Sequence, residues 1–390
     1  MDAGRRGPEA TAEGAGRGVR SGTSAELAAA VGMANVGFYV ARIGVVLVVL
    51  ADDLGVSAER LSWLGSAFGY GLFVVALAGP VLLSRLGQRG VLVTAAAVLG
   101  AGSLLLAVMP GEVAYVGALL QGLGAAGIVL VAPRLLHGPD AAVKLTRVNA
   151  VGSVVSISAP VLLGLAVTAG IGARSPMLLV AASMVVLAVL ARRLPSDDPV
   201  VVEQTDQPVA TLSRGLVARR WLVLVCSVSV EFAFVVWGVA RLTGAGLDAG
   251  RAGVVAALFQ VGMALGRIAG PRLIARLPIV LVGSAVAGAG TLLVVVGDAW
   301  PLVGLGQFLA GLGIATLYPV TLARLMAAPG LRPELAASLG ALASATAITL
   351  MPTLLAGLAL VVDLRLAFLA PLPVLGVLLW LHHERAAATS

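Results

Sequence analysis

Twelve runs of about twenty apolar residues follow one another along this chain, at 26–50, 61–83, 90–109, 113–133, 146–169, 175–194, 221–243, 252–273, 278–297, 301–323, 335–361 and 366–382. At about 1.5 Å of rise per residue, each is long enough to cross roughly 30 Å of hydrocarbon as a helix. Helix is the form open to them, because an open sheet in lipid leaves backbone polar groups unpaired. Hydrophobic residues make up 59% of the chain and charged residues 12%. Soluble domains carry roughly 45–50% and 25%, so lipid rather than water is the main solvent here. The expected fold class is an all-α integral membrane protein with twelve transmembrane helices in two six-helix bundles.

The two bundles are read from an internal repeat. Gly79-Pro80-Val81-Leu82-Leu83-Ser84-Arg85-Leu86-Gly87 recurs as Gly270-Pro271-Arg272-Leu273-Ile274-Ala275-Arg276-Leu277-Pro278, an offset of 191 residues in a chain of 390. In the same register Arg60, Phe68 and Gly71 match Arg251, Phe259 and Gly262, and near it Gly122-Leu123-Gly124 matches Gly311-Leu312-Gly313. Ala159-Pro160 likewise matches Met351-Pro352. A repeat at half length inside apolar sequence points to duplication of a six-helix unit. The expected division is a disordered tail over 1–24, an N-terminal bundle over 25–194, a hydrophilic linker over 195–220, a C-terminal bundle over 221–383 and a short tail over 384–390.

Charge sets the orientation. With both termini inside, nineteen lysines and arginines fall in inside segments and five (Arg60, Arg174, Arg241, Arg251, Arg365) in outside loops, with Arg42 and Arg267 within spans. That asymmetry predicts a multi-pass protein of the cell membrane with cytoplasmic termini. The net charge of +7 sits in short clusters between apolar runs without interleaved aromatics, so no nucleic-acid partner is expected. The single cysteine, Cys226, lies in an apolar run, and His137, His382 and His383 have no ligand spacing. No metal or organic cofactor is implied. The absence of HExxH, Walker and nucleophile-elbow patterns argues against an enzyme and against ATP-driven pumping.

On these residues the chain resembles the major facilitator superfamily of secondary transporters from about residue 25 onward. The family's loop after the second helix matches at Arg85, Gly87 and Arg89, with Ser84 in place of its aspartate and its opening glycine one place early at Gly79. The Gly-x-Gly of the fourth helix matches Gly122-Leu123-Gly124, with Ala118 where the family carries arginine. Ala159-Pro160-Val161-Leu162-Leu163-Gly164 partly matches an exporter motif of the fifth helix. The resemblance implies alternating access about a central cavity. It also implies that Gly79, Arg85, Gly87, Arg89 and Arg276 belong to gate loops, for which positive-inside topology is a sufficient alternative role.

Charges within spans cost about 2.5–3.5 kcal/mol on insertion scales, so each needs a reason. Asn35, Tyr39 and Arg42 lie at i, i+4 and i+7, on one helical face. Glu231 lies mid-span in the seventh helix, and the repeat register sets it within one turn of Arg42. Glu231 is expected to be a proton-titrating carboxylate with Arg42 as its partner or as an anion contact, or the two to form a structural ion pair. Arg267, near the end of the eighth span, is expected to snorkel to the headgroups or make a gate contact. Gln121, Gln260, Gln307, Asn149 and Tyr318 are candidates for solute contacts or interhelical bonds. Tyr70 and Trp237 are candidates for an aromatic wall, and Pro160 and Pro352 for kinks. The expected function is proton-coupled export of a small, weakly polar or amphipathic solute by a monomer. The alternatives are uptake of a small anion paired with Arg42, or a non-transporting sensor of the same fold.

Overall fold

The computed structural model describes residues 9–109, 113–136, 141–172, 174–194, 213–274 and 276–383. His137, residues 195–212 of the expected linker and the tail 384–390 lie outside them. Fourteen helices account for the spans among these residues: α1 Glu9–Ala41, α2 Ile43–Leu54, α3 Ser62–Val108, α4 Val113–Leu135, α5 Ala141–Thr168, α6 Pro176–Arg192, α7 Arg214–Thr243, α8 Ala249–Ile274, α9 Ile279–Val296, α10 Trp300–Ile314, α11 Leu317–Met326, α12 Pro333–Ala359, α13 Leu364–Ala367 and α14 Pro371–His382.

Helices and spans differ in number for local reasons. The first span bends at Arg42, which separates α1 from α2, although Val46 N–H still donates to the Arg42 carbonyl at 3.0 Å. The second and third spans run together as α3, 47 residues long and broken at Gly87, whose φ of 65° and ψ of 175° are not helical. Only glycine takes that backbone without strain, so the reversal between the two spans depends on it. In the repeat, position 87 corresponds to Pro278, which turns the chain before α9 with φ of −69° and ψ of 76°. The tenth span is interrupted at Ala315–Thr316 because Pro319 has no N–H to offer the Ala315 carbonyl. By contrast, α5 and α12 run through Pro160 and Pro352 without interruption. At the N-terminus α1 begins at Glu9, so residues 9–24 continue a helix where a disordered tail was expected. Ala, Glu and Arg are good helix formers, and a helix already nucleated propagates readily. Likewise α7 begins at Arg214, seven residues ahead of the expected span.

Glycines carry the duplication into three dimensions. The second limb of α3 meets α4 at Gly102 and Gly117, and α9 meets α10 at Gly290 and Gly306. A Cβ on Gly102 would lie 2.6 Å from the Gly117 carbonyl oxygen, and one on Gly290 would lie 2.5 Å from that of Gly306. The first limb of α3 touches α4 through Gly122 against the Ala67 carbonyl, and α8 touches α10 through Gly311 against the Phe259 carbonyl. Lipid offers no hydrophobic drive for helix association, so such close backbone approach is what holds each bundle together.

Arginines close helix ends in the same paired way. Arg174 donates to the Met109 carbonyl at the end of α3 (2.9 Å) and pairs with Asp53 (2.9 Å). Arg365, its repeat equivalent, donates to the Val295 and Val296 carbonyls at the end of α9 (2.5 and 3.0 Å) and pairs with Asp298. Buried Arg241 joins the second cap through the carbonyls of Val294 and Gly297 (3.2 and 2.5 Å). Each guanidinium satisfies orphan carbonyls and complements the negative helix end.

The halves meet along three seams, α3 on α12, α5 on α8, and α2 on α7. The contacts gather toward the face opposite the Gly87 turn and the α6–α7 connection, here called the far face, the other being the linker face. Ser66 donates to the Thr349 carbonyl (3.0 Å) and meets Thr353 (3.3 Å), Gly44 lies against the Val235 and Val236 carbonyls, and Gly253 against Gly164 and the Pro160 carbonyl. The first span divides accordingly. Its far-face part, α2, packs on α7 and α8 of the other half, whereas α1 packs on α4, α5 and α6 of its own. The fold is thus sealed across the far face.

A Gly311→Val substitution places two methyl groups against backbone that cannot yield, and we expect a loss of about 1–3 kcal/mol, seen as a lower melting temperature of the purified protein. Gly357→Ala, with nothing within 4 Å of the added Cβ, should leave the melting temperature in place. Equal stability of Gly311→Val and the native chain would contradict the close-packing account.

Candidate functional site

The polar face of α1 turns into its own bundle. Asn35 accepts a hydrogen bond from Ser183 of α6 (2.7 Å) and donates to the Val31 carbonyl (2.8 Å). Tyr39 packs edge-on against Phe68 at 5.7 Å between centroids, and the Arg42 guanidinium carbon lies 5.1 Å from the Tyr39 ring centroid. Arg42, 2% exposed, donates through Nη2 to Gln121 Oε1, and Gln121 Nε2 donates to Ser103 Oγ at 2.9 Å. Ser103 passes its own proton to the Leu99 carbonyl (2.8 Å). This chain ties α1, α4 and the second limb of α3 together and holds a buried cation by dipoles and an aromatic face instead of a carboxylate.

The expected pairing of Arg42 with Glu231 is therefore not formed. The face that carries Asn35, Tyr39 and Arg42 looks toward α4 and α6, and Gln121 lies within reach of the guanidinium there. Gln307 is also an interhelical tie: 1% exposed, it donates to the Gly238 carbonyl of α7 at 2.8 Å. Trp237 is fully buried and donates to the Pro352 carbonyl (3.0 Å), so it forms no wall with Tyr70, which is 40% exposed on α3. Gly79 is buried near Leu130, while Arg85 and Arg276 are exposed on the linker face, with Arg89 partly covered and Gly87 at the reversal itself.

A second polar group forms between the halves. Glu231 of α7, Arg267 of α8 and Tyr318 of α11 lie within electrostatic range of one another, and Tyr318 meets the Ser344 hydroxyl of α12. Arg267 Nη1 donates to Ser153 Oγ on α5 at 2.9 Å, across the seam between the halves. Nearer the far face, by about one turn on α5 and about two on α8, Ser156 of α5 donates to Gln260 Oε1 of α8 at 3.3 Å. The spacings explain the alignment. Asn149, Ser153 and Ser156 fall at i, i+4 and i+7 on α5, and Gln260 and Arg267 are seven apart on α8, so each helix turns one polar stripe to the other. Glu231 makes no ion pair within 4.0 Å among the described residues. Arg267 is exposed, and its Nε and Nη2 make no hydrogen bond among those residues.

Sequence reasoning named Glu231, Arg267, Gln260, Asn149 and Tyr318 separately and missed Ser153, Ser156 and Ser344. The helical spacing from Asn149 was a usable signal for the first two. Nothing in the sequence singled out Ser344, because serine is common in spans and usually bonds back to its own helix, as Ser344 also does to the Gly340 carbonyl (3.1 Å).

Ten helices among the described residues are long and apolar enough to cross a membrane. The 47-residue α3 holds two spans and the shorter α6 supplies another, so the twelve-span reading is matched. Residues 27–326 match the sequence model of the Major Facilitator Superfamily, and the chain belongs to that family. It is thereby a multi-pass membrane transporter and not an enzyme. Solved structures agree on the fold. The chain is similar to the crystal structure of nucleoside transporter NupG, with 13% identity and a TM-score of 0.71 over 94% of this chain and 100% of that one. It is also similar to a POT family transporter in complex with 5-aminolevulinic acid, with 11% identity and a TM-score of 0.70 over 91% and 95%. A comparison with curated proteins finds no significant match.

Accessibility separates the two polar groups. In a Cys226→Ser background, Asn149→Cys should react with a membrane-impermeant maleimide, whereas Gln121→Cys and Gln307→Cys should stay unlabelled in the native protein and react after denaturation. Equal native labelling at all three positions would contradict the division into a buried tie and an inter-half site.

Proposed function

We propose that this protein is a proton-coupled secondary transporter of a small organic solute, working by alternating access between its two halves. The observation that carries the reading is Glu231. It is the one acidic residue deep within a span, it lies within electrostatic range of Arg267, and it has no ion pair among the described residues. A carboxylate at such a position can carry the coupled proton. Tyr318 lies within electrostatic range of both Glu231 and Arg267, so a proton on Glu231 changes the field around this polar group. Nineteen basic residues against five support a cytoplasmic linker face, which makes the far-face seal an extracellular one and the described state inward-facing.

Composition favoured export of an amphipathic solute. The paired stripes of Asn149, Ser153, Ser156, Gln260 and Arg267 favour a more polar one, and they support the uptake alternative with Arg267 in the role first given to Arg42. The exporter-like stretch Ala159–Gly164 serves as packing, with Pro160 and Gly164 closing on Gly250 and Gly253.

The test is a solute screen in proteoliposomes with a pH gradient imposed in either direction. For a solute that the native protein accumulates, Glu231→Gln should abolish gradient-driven accumulation and preserve solute exchange at equal pH. Full accumulation by Glu231→Gln would remove Glu231 from the coupling step.

A further inference from the structure

We propose that Arg267 is the anchor of a substrate subsite for small monocarboxylates, so that the solute moved with each proton is a carboxylate bearing a second hydrogen-bonding group. The inference rests on the transporter reading and adds the chemical class of its solute.

Three features of one guanidinium carry it. Arg267 spends Nη1 on Ser153 Oγ of the opposite half. The other edge of the fork, Nε with Nη2, has no partner among the described residues, and the side chain is exposed between the halves rather than packed away. That edge presents two parallel N–H donors, the geometry that a carboxylate accepts in bidentate fashion. Arg174, Arg241 and Arg365 differ, each engaged with a carboxylate or helix-end carbonyls, and Arg42 is 2% exposed and closed off from any solute.

Charge arithmetic narrows the class further. One arginine, Arg267, lies within electrostatic range of one glutamate, Glu231, and no ion pair joins them among the described residues. With Glu231 ionised, the site is close to neutral and an anion gains little there. With Glu231 protonated, one uncompensated positive charge remains, which suits one carboxylate. A dianionic phosphate or dicarboxylate would leave net negative charge in a low-dielectric site, where it is costly. The stripe beyond Ser153 offers Ser156 and Gln260, which can bond a hydroxyl or carbonyl on the same small molecule. Ser153 belongs to the N-terminal half and Arg267 to the C-terminal half, so a carboxylate here meets both moving parts. The proton enters on Glu231 Oε and leaves from it, and the carboxylate travels as the anion, so one proton and one anion cross together without net charge.

The experiment uses the purified full-length protein and four probes: lactate, pyruvate, glycolate and, as the uncharged counterpart, lactamide. Ligand-dependent thermal shift reads binding, and proteoliposomes read flux under an imposed pH gradient with and without a potassium–valinomycin potential. At least one carboxylate should raise the melting temperature and lactamide should not. Arg267→Lys, which keeps the charge and loses the fork, should weaken that carboxylate by about tenfold or more. Arg267→Gln should abolish the shift while eluting as native protein in size-exclusion chromatography. Flux should be insensitive to the potential. Silence of all three carboxylates, or Arg267→Lys binding at native affinity, overturns the proposal. The wider reading fails separately: if Glu231→Gln binds carboxylate and still accumulates it from the pH gradient, proton coupling through Glu231 falls while the Arg267 subsite stands.

Discussion

Hydrocarbon gives a polar group nothing to bond with, and the structure follows from how this chain meets that condition. Backbone groups are satisfied by helix formation, and the helices pack through glycines whose backbones nearly touch, Gly102 on Gly117 and Gly290 on Gly306. Where helices end, arginines take the orphan carbonyls: Arg174 on α3, Arg365 and Arg241 on α9, and Arg219 on α14, where it bonds the Leu381 and His383 carbonyls at 2.5 and 2.8 Å. A transmembrane chain with few charges has used most of them at its boundaries.

The charges left inside divide by what surrounds them. Arg42 is enclosed by an amide, a hydroxyl behind it and an aromatic ring, in a network confined to the N-terminal half. Arg267 reaches across the junction of the halves to Ser153, and Glu231 lies within its electrostatic range. Toward the far face the α5–α8 seam is glycine against backbone, at Gly164 and Gly250, and toward the linker face it becomes Ser156 with Gln260 and then Ser153 with Arg267. Close glycine-to-backbone packing thus gives way to side-chain hydrogen bonds along a single pair of helices.

Much of the fold was legible because bilayer thickness and backbone satisfaction act on composition directly. Span number, the half-length repeat and the reversal at Gly87 can all be read from residue type and spacing. The sites were legible only as a set of candidates. Asn35, Tyr39 and Arg42 do share a face, but which neighbour that face meets depends on how α1 rotates within its bundle, and periodicity carries no information on that. Arg42 was consequently assigned to the wrong side of the helix pair, while Arg267, expected to snorkel or to make a gate contact, reaches Ser153 across the seam. Residues 9–24 show the same gap at the local level: their composition is poor in core-forming residues, yet α1 continues through them.

The central claim is that the halves rock about a seam which is closed at the far face and polar at the linker face. Spin-label distances across α5 and α8 measure this directly, with one pair at Ala169 and Arg251 on the far face and one pair at Arg147 and Arg272 on the linker face, in lipid nanodiscs. Protonation in the presence of a transported solute should lengthen the first distance and shorten the second within one population shift. Distances that stay fixed, or that lengthen and shorten together, would contradict the account.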